Sequence, residues 1–147
     1  MTDWAEFARV LADELAAAPD TTILVIGEAA PAGSRRFAQF RKDSDSVLTE
    51  LTGNEWLDPA SRPGDAGRQA ITRAGWNEPN QDHCDNWWAE FATPVGTDQY
   101  RHIAAITVTG LRDGFGITTP AALSYKGWVE TSGNNLHLPS LGIPDAV

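Results

Sequence analysis

One cysteine, Cys84, stands in 147 residues, which excludes an intramolecular disulfide framework. No apolar run approaches the roughly 18 residues of a membrane span, so no membrane association is expected. No basic stretch precedes an apolar one at the N-terminus, so no signal peptide is expected and the compartment expected is the cytoplasm. Basic residues are scarce: 11 Lys and Arg face 20 Asp and Glu, a formal net charge of −9. An acidic surface repels phosphate backbones, so nucleic acid is not an expected partner.

Catalytic and metal-binding patterns are also missing. Asp82-His83-Cys84-Asp85 is the one place where metal-capable side chains crowd together. Adjacent residues seldom converge on one ion, and structural zinc sites pair ligands two to four residues apart from two segments. His102 and His137 belong to no motif. No metal and no cofactor are expected. Cys84 beside His83 lacks the orienting third group that an activated nucleophile needs. There is no nucleophile elbow, no HExxH, no kinase set and no glycine-rich phosphate loop. Glu50, Glu55 and Glu90 remain as carboxylates for acid–base work, but sequence gives them no shared geometry and each reads first as a strand-face or surface group.

What is present reads as one folded domain, with 41% hydrophobic and 21% charged residues. Arg35–Leu57 organises it. Phe37–Arg41 and Val47–Leu51 are short β-favouring runs joined by Asp43-Ser44-Asp45, which predicts an antiparallel hairpin. Ala38 and Phe40 share one face of the first strand; Phe37, Gln39 and Arg41 share the other. Arg35, Arg36, Arg41 and Lys42 form a basic cluster that suits a solvated strand edge or an acidic partner.

Around the hairpin, Trp4, Phe7, Ala8, Leu11 and Leu15 make one apolar stripe over a helix at Asp3–Ala17, with Asp3 and Glu6 as a capping-box variant. Thr21–Ile26 predicts a buried strand, and Gly27–Ser34 a loop. Asp65–Ala74 predicts a short helix capped by Asp65 and closed by Gly75. Trp87–Val95 predicts a strand suited to an edge, since Pro94 donates no ladder bond. Tyr100, Ile103, Ala104, Thr107 and Leu111 predict a helix over Gln99–Asp113. Thr118–Tyr125 reads as a turn of helix or an apolar clip. Residues 1–125 are expected to form the domain, and 126–147 a Gly- and Pro-punctuated tail, docked or flexible. The expected core is Trp4, Leu11, Leu15, Ile23, Val25, Phe40, Leu51, Ile103 and Leu111.

Six tryptophans are many for this length. Adjacent Trp87 and Trp88 cannot face the same side of a strand, so one of them faces a second layer, a subunit contact or a ligand.

The order of elements carries a resemblance, together with four segments: Phe37-Ala38-Gln39-Phe40, Glu50-Leu51-Thr52-Gly53-Asn54-Glu55-Trp56-Leu57, Ala74-Gly75-Trp76-Asn77-Glu78-Pro79, and Leu111-Arg112-Asp113-Gly114-Phe115-Gly116 with Pro120 and Leu123. From Trp4 to Tyr125 the chain resembles the bacterial TY-Chap domains, which are grouped with type III secretion chaperones and YbjN-like proteins as peptide-binding chaperones. The resemblance implies an α+β fold. Its sheet is a twisted antiparallel meander of about three to five strands, with N-terminal and C-terminal helices packed on it. It also implies a frequently dimeric state and no enzymatic activity, and it carries no catalytic residue over.

The function expected is therefore a non-catalytic module binding a protein or peptide partner, with a homodimer expected. The alternatives are a small enzyme with an unrecognised acid–base site, or a regulatory subunit whose groove is filled by its own tail. The residues expected at the partner surface are Trp87 or Trp88 first, then Phe37 and Phe91, with Arg36 and Arg41 complementing acidic groups on the partner.

Overall fold

The computed structural model describes residues 2–29 and 36–146. Residues 30–35, which include most of the loop expected at Gly27–Ser34 and the Arg35 of the basic cluster, lie outside the described residues. Three α-helices run over Trp4–Ala17 (α1), Asp65–Ala74 (α2) and Thr97–Val108 (α3). The strands are Thr22–Glu28 (β1), Phe37–Lys42 (β2), Ser46–Leu51 (β3), Trp87–Ala92 (β4), Leu123–Val129 (β5) and Asn135–Leu136 (β6). They form one antiparallel sheet in the order β4-β3-β2-β1-β5-β6. The α+β class holds, with a strand count slightly above that expected.

Local chemistry explains the early elements. The Asp3 carboxylate accepts from the Glu6 N–H and starts α1, which buries Phe7, Val10, Leu11, Ala12 and Leu15. α2 closes on Gly75 at φ 110°, a left-handed position that only glycine adopts cheaply. Its N-cap is Gly64 rather than Asp65, which sits inside the first turn where its charge suits the helix dipole. α3 continues into a π-helical turn over Thr109–Gly114. There Gly110 lets the helix approach the sheet: a Cβ at this position would lie 2.4 Å from Leu51 Cδ1.

The ladder register assigns every strand residue to a face. Leu24, Ile26, Ala38, Phe40, Val47, Leu51, Trp87, Ala89, Leu123 and Tyr125 join the buried cluster with α1 and α3. All of them lie on one side, so the helices take strand residues from that side alone. Lys42 spans the same side, donating to the Leu15 and Ala16 carbonyls at 2.9 and 3.0 Å, where a cation offsets the C-terminal end of α1.

Three expectations need correction. Val25 is only partly buried, because its neighbours Leu24 and Ile26 take the helix-covered face. Trp4 is also only partly buried; it sits at the first turn of α1 and donates to the Thr118 carbonyl at 3.1 Å. Residue 125 lies in the middle of β5, which pairs along the whole of β1, from Thr22↔Val129 to Glu28↔Leu123. Past β5, Leu141 and Ile143 are buried in the same core. The Pro144 carbonyl accepts from Tyr125 N–H at 2.9 Å, and Ala146 N–H donates back to Tyr125 at 2.7 Å.

Candidate functional site

Strand periodicity sends the remaining side chains to the helix-free face of the sheet. The register aligns two rows across it. Trp88, Glu50, Gln39, Val25 and Lys126 form one; Glu90, Leu48, Arg41, Ile23 and Trp128 form the other. Phe37 and Ser124 flank Gly27 beyond the first row. Val25, Phe37, Leu48, Trp88 and Trp128 are each partly exposed here. Between β1, β2 and β5 lies a depression of about 310 Å³ with Val25, Phe37, Lys126 and Trp128 in its lining and Ala146 of the tail at its rim.

The β4 end of this face is built more tightly. His83 stacks on Trp88 with ring centroids 3.9 Å apart and planes 4° from parallel. The turn that delivers His83 is heavily determined. The Asn80 side chain and carbonyl both receive the His83 N–H, at 3.0 and 3.2 Å, and Asp85 N–H returns to the Asn80 carbonyl at 2.7 Å. Cys84 and Asp85 hold left-handed conformations at φ 56° and 61°, costly for residues with a Cβ and sustained only by such surroundings. Gly53 lies under this turn, where a Cβ would fall 1.7 Å from the Asp85 carbonyl oxygen, and its N–H donates to Asn86 Oδ1 at 3.0 Å. Behind Trp88, Glu50 is 8% exposed. Burial raises its carboxyl above the usual glutamate range, opposed by the neighbouring His83, a hydrogen bond from Asn86, and Arg41.

The six residues expected at a partner surface divide between the faces. Trp88, Phe37 and Arg41 lie on the helix-free face. Trp87 and Phe91 are on the covered side. Trp87 is 5% exposed, and Phe91 meets His102 of α3 edge-to-face at 6.0 Å. The basic pair is already occupied. Arg36 grips Glu28 through two contacts of 2.7 and 2.9 Å and donates to the Phe115 carbonyl. That ion pair holds the Glu28 carboxyl below its usual range. Arg41 pairs with Glu130 at 2.6 Å. The edge of β4 is also partly used, because Asn77 exchanges both backbone hydrogen bonds with Trp88.

Sequence reasoning missed Lys126 and Trp128. The alternation Ser124-Lys126-Trp128 against Leu123-Tyr125 was the available signal, obscured by Gly127 and by the turn residues on either side. It also missed the exposure of Trp56, which is 58% exposed. Among the described residues, no group of three or more His, Cys, Asp or Glu is arranged to hold a metal ion, and no helix is long and apolar enough to cross a membrane.

No curated protein and no solved structure matches the chain. A family model does. Residues 1–129 match TY-Chap3, described as T3SS (YopN, CesT) and YbjN peptide-binding chaperone 3, and the chain belongs to that family.

Proposed function

We propose that this protein is a non-catalytic, peptide-binding module that holds an extended or amphipathic segment of a partner protein against the helix-free face of its sheet, acting in the cytoplasm as a homodimer. The observation that carries the reading is the set of partly exposed apolar side chains, Val25, Phe37, Leu48, Trp88 and Trp128, spread over a face that the helices leave open. Family membership supports a protein or peptide as the partner. Aromatic residues in this setting supply contact area at low entropic cost.

The test is a peptide array from neighbouring proteins, with hits titrated against wild type, Trp88→Ala and Trp128→Ala. The expected result is a loss of roughly 2 kcal/mol or more for one variant that still folds. Unchanged binding by both variants, or no segment binding tighter than about millimolar, rejects the reading.

A second reading has one observation in its favour. Ala146 borders the depression and the chain around it pairs with Tyr125, so the tail occupies part of the surface in cis. In that reading the tail regulates access, and a variant lacking residues 144–147 binds the same hits more tightly than the full chain.

A further inference from the structure

We propose that the corner formed by Trp56, His83 and Trp88 recognises a basic stretch of the bound segment, Lys or Arg residues flanking an apolar anchor. The inference rests on the peptide-binding reading and adds the partner's chemistry and its docking point.

Three observations lead to it. First, Trp56 is the one large hydrophobic side chain exposed among the described residues, at 58%. Its indole N–H donates to the Cys84 carbonyl at 2.6 Å, so the ring is fixed against the same turn that stacks His83 on Trp88. A ring held in place before binding loses little freedom on binding, and exposed tryptophans of this kind are frequent anchors. Second, the indole N–H of Trp88 is buried and has no hydrogen-bond partner, an unusual state for a tryptophan beside a surface. Third, charge commits the occupant. Residues 50–90 hold eight carboxylates and three arginines, so more than half of the chain's net charge of −9 falls on this segment. Glu55, Asp82 and Asp85 lie within a few residues of Trp56 or His83, and Glu90 sits two residues from Trp88 on the same face. None of these four is in an ion pair among the described residues. Of the nearby cations, Arg62 is turned to the Asn54 and Leu57 carbonyls, and Arg68 lies beside Glu55, Glu78 and Asp85 in a shared depression.

Elsewhere on the helix-free face the balance differs. Arg41 is neutralised by Glu130, and Lys126 lies over Trp128. The face is therefore acidic at its β4 end and weakly basic at its β5 end. A segment lying across it is oriented with its basic part towards Trp56. Complementary charge of this sort sets register and encounter rate more than total affinity.

The experiment uses fluorescein-labelled synthetic peptides sharing a Leu-Phe-Leu centre and differing only in their flanks, Lys/Arg, Gln/Ser or Glu/Asp. Anisotropy titrations at low and high salt use the wild type, Trp56→Ala, Trp56→Phe, the double variant Glu55→Gln with Asp82→Asn, and Trp128→Ala. The proposal expects the basic-flanked peptide to bind about tenfold or more tighter than the acidic one at low salt, with the gap closing at high salt. It expects Trp56→Ala to weaken the basic peptide about tenfold, Trp56→Phe to retain most of that, and the double variant to narrow the difference between flanks. Equal binding of all three flanks, with loss only in Trp128→Ala, overturns the proposal and leaves the peptide-binding reading standing. A lack of binding by every peptide overturns both.

Discussion

Leu24 and Val25 are chain neighbours on β1. Leu24 is 2% exposed beneath the helices, whereas Val25 is partly exposed in a depression on the other side. The same contrast runs across the sheet, with Phe40 against Gln39 and Trp87 against Trp88. The covered face draws residues from all three helices into one cluster. The other face has two rows of apolar and charged groups that are exposed or partly exposed, apart from the buried Ile23 and Glu50. A two-layer domain needs only one dry interface, so apolar residues beyond that interface are free for other contacts.

The largest test of this difference is a matched pair of truncations. Leu11→Ala removes a fully buried side chain from α1 and is expected to cost about 2–5 kcal/mol in urea unfolding. Val25→Ala is expected to cost about 1 kcal/mol or less. Equal costs break the comparison. If the Val25→Ala cost also grows with protein concentration, the open face is covered by a second copy.

Next in size is Gly53→Ala. The new methyl meets the Asp85 backbone, which cannot rotate away as a side chain does. The expected cost is about 1–3 kcal/mol. The turn that carries His83 moves with it, so the His83–Trp88 stack is expected to loosen, visible in the tryptophan fluorescence. An unchanged spectrum at wild-type stability breaks the assigned link between Gly53 and the corner.

The smallest effect is a pH slope. Glu50 has its folded-state pKa raised by burial, so the folded protein takes up this proton at a higher pH than the unfolded chain. Its contribution therefore becomes more favourable as pH falls from the raised value to the ordinary glutamate value. Glu28, lowered by its bond to Arg36, has the opposite sign: its stabilisation is full above the ordinary value and disappears as pH falls through the lowered one. Glu50→Gln is expected to melt slightly higher than wild type at neutral pH and to lose that gain as pH falls through the raised value towards the ordinary glutamate value. A variant whose melting temperature tracks wild type at every pH removes Glu50 from the account.

Much of the covered face was legible from spacing. The α1 stripe apart from Trp4, the hairpin and the stripe of α3 each depend on residues a few positions apart, and each took the expected place. The helix-free face was not. Whether Trp87 or Trp88 is buried depends on which side α1 and α3 pack, a choice set by residues far away in the chain. Arg36 and Arg41 looked available because Glu28 and Glu130 are 8 and 89 residues from their partners. The tail read as docked or flexible, with no strand assigned, because β5 is a short alternation containing Gly127, held by a pairing about 100 positions back in the chain.

That last pairing also bears on how the chain is made. β1 is flanked by β2, which follows within about 15 residues, and by β5, whose Trp128 pairs with Ile23. While the ribosome synthesises everything between, the apolar run Ile23–Ile26 has one edge without its partner. Synthesis at about 5–20 residues per second leaves that edge open for seconds. An open β-branched edge pairs readily with other chains. A nascent or truncated chain stopping short of Leu123 therefore exposes the aggregation-prone strand that the completed protein buries. Tags or fusions that slow release of the C-terminal segment are expected to lower the soluble yield.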